Sequence, residues 1–200
     1  MTKKLGIICL VISVFLAFLI WLFVESSKPL PGTKLTDLGR GHVPVGEQVE
    51  YNSNPPTSGK HYDDWVRSGI YDSLKDDRNL VHSLEHGYVI MHYKCDQIES
   101  RNEATEAGKL DESCEVRQNQ LAKIYEKKGQ RKLIVVPRPN LETNYALTAW
   151  TYLDKFDPSR GPSIPRSSGP RGSGLGDKDI VRIEKFIDAH LNQGPEKTME

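Results

Sequence analysis

The sequence predicts an α+β protein: one N-terminal transmembrane helix, then a small mixed domain with a mainly antiparallel sheet and two helices. Three observations predict it. A charge-free apolar run fills residues 6–24. Short β-branched and aromatic runs bounded by Gly and Pro follow. Two later stretches carry the 3.6-residue periodicity of amphipathic helices.

The apolar run reads GIICLVISVFLAFLIWLFV. At about 1.5 Å per residue it matches the hydrocarbon thickness of a bilayer. Lys3 and Lys4 precede it and Glu25 follows it, so the positive-inside tendency keeps the N-terminus in the cytoplasm and sends the rest across. Two forms of this reading stand. The helix is retained as an anchor, with Trp21 at the interface, or it is a signal cut near Val24 and Ser26. Both place the remainder outside the cytoplasm, at the cell membrane. Residues 1–27 are thus the anchor or signal, 28–41 a Pro- and Gly-containing linker, 42–194 the folded domain and 195–200 a tail.

Within the domain, residues 45–51 read as a first strand. Residues 52–59 (NSNPPTSG) form a loop stiffened by two prolines. Residues 88–93 (YVIMHY) read as a strand after Gly87. Residues 112–128 read as a helix, with Val116, Leu121, Ile124 and Tyr125 near one face and Gly129 as its stop. Residues 133–136 (LIVV) form a buried strand ended by Pro137 and Pro139. Residues 145–156 fit either period, with strand favoured in the first half. Residues 179–192 form the second helix: Ile180, Ile183, Ile187 and Leu191 share a face, Asp177 caps the start and Gly194-Pro195 ends it. Residues 158–176, rich in Pro, Gly, Ser and Arg, read as a flexible loop; Arg160, Arg166 and Arg171 lie in it.

Lys plus Arg balances Asp plus Glu at 27 each, which removes the electrostatic signature of a nucleic-acid binder. No phosphate-binding glycine loop and no nucleophile elbow is present. Cys9 lies in the apolar run. Cys95 and Cys114 remain as an even pair in a compartment that permits a disulfide; two separate thiols or two metal ligands are the alternatives.

The histidines carry the most chemistry. In VHSLEHG, His82 and His86 stand four residues apart, so one helical turn points both imidazoles and Glu85 to one side. The spacing H-x-x-E-H is also that of the inverted zinc peptidases. That use needs a long helix, whereas Gly87 and the strand pattern after it leave room for a single turn. His61 follows the stiff PPTSG loop, and His42 follows an Arg-Gly pair. His61, His82 and His86, with His42 as a fourth ligand, form a set suited to copper or zinc. Histidines that only hydrogen-bond their loops are the alternative.

Six blocks carry a resemblance: GRGHVPVGEQVEYNSNPPTSGKHY, VHSLEHGYVIMHY, LIVVPRPNL, ALTAW, FIDAH and QGPE. On these the chain resembles the bacterial domain of unknown function family numbered 3105. The resemblance implies one N-terminal membrane segment and a small extracytoplasmic domain; it assigns no particular activity, because the family has no established one. The positions that match its motifs are His42, His61, His82, Glu85 and His86, whereas His92 falls where the pattern is loose. Lys60 stands where the family has proline, and residues 158–176 look like an insertion.

The expectation is therefore an extracytoplasmic copper or zinc module, with Glu85 orienting the ligands, membrane lipid around the helix and an envelope protein as partner. A metal-free interaction module using Tyr62, Trp65 and Tyr71 is the first alternative. A zinc hydrolase using Glu85 is the second.

Overall fold

A computed structural model describes residues 2–27, 29–95, 112–159 and 174–197. The chain divides into two units, residues 1–30 and 31–200. The first is helix α1 (Thr2–Ser26). Its stretch Leu5–Val24 is 20 residues long and apolar enough to cross a membrane, and its side chains are exposed all round. An apolar surface on every side leaves no polar stripe for water, as expected of a helix in lipid or of a signal sequence.

The second unit is α+β. In chain order it contains β1 (Thr33–Lys34), β2 (Arg40–His42), β3 (Gly59–His61), β4 (Gly69–Ile70), α2 (Asp77–Glu85), β5 (Val89–Lys94), α3 (Glu112–Lys127), β6 (Leu133–Arg138), β7 (Tyr145–Ala149), β8 (Tyr152–Phe156) and α4 (Asp177–His190). Six strands form one mixed sheet in the order β1-β8-β7-β5-β6-β4. The β1–β8, β8–β7 and β7–β5 pairs are antiparallel, while β5–β6 and β6–β4 are parallel. β2 and β3 form a separate parallel ribbon.

Strand β5 lies at the centre because both its faces are apolar. Val89, Met91 and Tyr93 join Leu133, Val135 and Leu147 under α3 and α4, which contribute Leu121, Ile124, Ile183, Phe186 and Ile187. Ile90 faces the other way, where Ile134, Val136 and Tyr88 meet Leu80 and Leu84 of α2. Period-2 alternation in a strand buried on both faces thus makes two cores from one run of residues.

Several elements differ from the sequence reading. Three helices, not two, pack on the sheet: α2 runs for nine residues where a single turn was expected. Asp76 explains its start, since its side chain accepts from the Arg78 backbone N–H and supplies the N-cap. Residues 45–51 form no strand. β6 continues through Pro137 to Arg138. β4 reaches only Ile134 and Val135, so on that side Pro137 borders an edge, where its missing N–H costs little. Residues 145–156 form both strands of a hairpin turning at Trp150 and Thr151. On α4, Gly176 is the N-cap and Asp179 accepts its backbone N–H, while the expected cap, Asp177, lies inside the helix. Most of the proposed loop 158–176, including its three arginines, lies outside the described residues.

Candidate functional site

His42 and His61 are brought together by the β2–β3 ribbon, in which they are direct cross-strand partners. Gly59, at φ +124°, supplies a backbone conformation that favours glycine at the start of β3. Helix α2 brings His82 and, three residues on, Glu85 to the same face. The loop before α2 is fastened to it by Ser83, whose hydroxyl donates to the Val66 carbonyl at 2.9 Å and accepts the Val66 N–H at 3.0 Å.

The imidazoles of His42, His61 and His82 form a nearly equilateral triangle, with ring centroids 4.9–5.0 Å apart. One atom from each of these and one carboxylate oxygen of Glu85 lie within 4.8 Å of one another. Ligand atoms around a tetrahedral zinc ion stand about 3.4 Å apart, so shifts of about 1 Å close the set.

The outer hydrogen bonds fix the tautomers. His61 Nδ1 is 2.8 Å from the Gly59 carbonyl, and His82 Nδ1 is 2.7 Å from the Tyr62 carbonyl. A carbonyl only accepts, so both Nδ1 atoms carry a proton, and in the neutral ring the lone pair then falls on Nε2. His42 Nδ1 lies 3.2 Å from Asp63 Oδ1, an acceptor that favours the same arrangement. Carbonyls and carboxylates behind the ring are the usual supports of metal-ligating histidine.

Glu85 completes the group. Its Oε2 is 2.9 Å from His61 Nε2, yet that buried nitrogen makes no hydrogen bond. The two atoms are therefore close without hydrogen-bond alignment. Its Oε1 is 3.7 Å from Arg40 Nε. Burial, then the neighbouring imidazoles of His86 and His61, hold the His82 pKa below its ordinary value. A neutral imidazole is the form that binds a metal.

The structure distributes the sequence candidates differently from the expectation. Glu85, expected to orient the ligands, offers an oxygen directly to the group. His86, expected as a ligand, offers no atom to it. Its ring instead packs 4.5 Å from His82 and 5.2 Å from Trp65, and its buried Nδ1 has no hydrogen-bond partner. Tyr62 is buried, and Trp65 and Tyr71 pack partly against the α2-side core. Cys95 and Cys114 are joined by a disulfide between the end of β5 and the first turn of α3.

The fold and site thus define an α+β domain preceded by a helix of membrane-crossing length and carrying a cluster of three histidines and a glutamate. The chain belongs to the family described as Protein of unknown function (DUF3105), whose profile matches residues 42–166. That match contains all four clustered residues. No match was found among curated proteins or solved structures.

Proposed function

We propose that this protein is a membrane-anchored, extracytoplasmic module that binds one transition-metal ion, zinc or copper, through His42, His61, His82 and Glu85. The observation that carries this reading is the contact of His61 Nε2 with Glu85 Oε2. Leaving a buried nitrogen unsatisfied costs about 1–3 kcal/mol. A cation held between the two atoms turns that cost into two bonds. Three imidazoles with one carboxylate suit zinc and copper(II), both of which favour nitrogen with some oxygen. The ion would be held by the three Nε2 atoms and the carboxylate, while the Gly59 and Tyr62 carbonyls and Asp63 orient the rings. The apolar helix Leu5–Val24 supports the membrane placement.

The test is metal content. The full chain, purified in detergent without a histidine tag, is expected to carry or take up one equivalent of zinc or copper. His61→Ala is expected to lower affinity at least a hundredfold while leaving the circular dichroism spectrum unchanged. Failure of the wild-type chain to bind either ion near stoichiometry would sink the proposal.

A further inference from the structure

We propose that the site exchanges its metal on the His42 side, by ligand substitution with an anionic, carboxylate-bearing metal chelate. This rests on the metal-binding reading above. The four candidate ligands are unequal. The side chain of His61 is 0% exposed and that of Glu85 5%, and His82 is 4% exposed, whereas the His42 side chain is 50% exposed.

Their supports are unequal too. His82 and Glu85 ride on α2, which is packed into the core through Leu80 and Leu84. His61 is locked to its own loop through Gly59. His42 ends a three-residue strand paired, among the described residues, with β3 alone, and its orienting carboxylate, Asp63, is itself 90% exposed. Three buried donors form the holder, and His42 is the donor that can swing aside without opening the core. An incoming donor then takes the fourth position, and the metal never becomes two-coordinate.

Arg40 indicates what docks there. Residues two apart on a strand share a face, so Arg40 and His42 emerge from β2 together. The guanidinium is half-exposed and lies 3.7 Å from Glu85 Oε1. Once Glu85 is committed to a divalent ion, the local charge is positive and Arg40 has fork donors to offer. A planar fork recognises carboxylate in two-point fashion.

The test uses the zinc-loaded full chain in detergent and follows transfer of zinc to nitrilotriacetate, which carries carboxylates, and to terpyridine, which is neutral. For the wild type, the transfer rate is expected to rise linearly with nitrilotriacetate concentration. His42→Ala, an exposed position with little to lose in folding, is expected to keep one equivalent of zinc and release it at least about tenfold faster. Arg40→Ala is expected to slow transfer to nitrilotriacetate and leave transfer to terpyridine unchanged.

Two results overturn the inference: a transfer rate independent of chelator concentration and unaltered by His42→Ala, or His42→Ala losing zinc as completely as His61→Ala. An equal effect of Arg40→Ala on both chelators removes the anionic partner. Wild-type stoichiometry judges the metal-binding reading; these rates judge the route.

Discussion

His92 sits on the face of β5 opposite Met91 and Tyr93, almost fully buried, with Nε2 3.0 Å from Thr148 Oγ1 and Nδ1 without a hydrogen-bond partner. His190 is also buried, between Tyr152 and Phe186, and its Nε2–H donates to the Pro31 carbonyl at 2.8 Å. Burial holds the pKa of His92 well below 6.5, with Arg138 adding repulsion, and lowers that of His190. The unfolded chain titrates both near the ordinary value of about 6.5 and so binds more protons below that pH. Stability carried by the neutral rings is fully present above that value and is lost as pH falls toward the depressed folded values. Urea unfolding is expected to show a lower midpoint at about pH 5.5 than at about pH 7.5. In His92→Gln, which keeps a polar partner for Thr148 and cannot titrate, that difference is expected to shrink; an unchanged pH slope would remove His92 as its source.

The segment after α4 is hydrogen-bonded to the C-terminal end of α2, which carries Glu85. The Asn192 N–H donates to the Gly87 carbonyl at 2.8 Å and the Glu196 N–H to the Glu85 carbonyl at 3.0 Å. Gly87 is at φ +80°, and a Cβ on Gly194 would overlap the Glu85 carbonyl oxygen and the Gly87 backbone. Glycine at both positions therefore lets two backbones touch at the residue whose carboxylate joins the three histidines. Gly194→Ala is expected to destabilise the domain by about 1–3 kcal/mol and to weaken metal binding, measured by urea unfolding and by metal titration. A variant with wild-type stability and affinity would show that this contact does not position Glu85. The same contact marks what sequence reading can reach. The QGPE block is visible as a motif, but its docking on LEHG joins residues far apart in the chain and leaves no local pattern. α3 and α4 were legible from their hydrophobic period, and β5 and the start of β6 from short apolar runs bounded by Gly87 and Pro137. β1 to β4 were not: at two or three residues, their strand character comes from their partners. The nine-residue α2 read as a single turn because Gly87 follows the motif at once; its extra length lies on the N-terminal side, where Asp76 caps the helix and Asp77 pairs with Arg138. In the site, the His82–Glu85 spacing was legible as one helix face. The meeting of His42 with His61 depends on the β2–β3 register, and the choice of Glu85 over His86 depends on how α2 is rotated against that ribbon.

At the scale of the whole chain, the apolar helix and the disulfide bear on the same question. Helix Leu5–Val24 has the length of a bilayer span, as a signal sequence also can. The Cys95–Cys114 bond closes a loop with a sequence separation of 19. A loop of that size stabilises a fold by roughly 3 kcal/mol in the chain-entropy account, and such bonds persist in oxidising compartments. The two features therefore give one experiment two readouts. Expressed in cells, the wild-type chain is expected in the membrane fraction, resistant to alkaline carbonate, with Cys95 and Cys114 protected from alkylation until reduced. A chain carrying Phe15→Arg and Leu16→Arg places two charges near the middle of the span, each costing about 2.5–3.5 kcal/mol on insertion scales. It is expected to stay soluble in the cytosol with both thiols open to alkylation, and to lose the stability the bond supplies. Release of the wild-type chain without its first residues, still oxidised, would replace the anchor with a cut signal and keep the translocation. A wild-type chain found reduced in the cytosol would remove both, because neither an inserted helix nor a secreted domain would explain a reduced pair at positions 95 and 114.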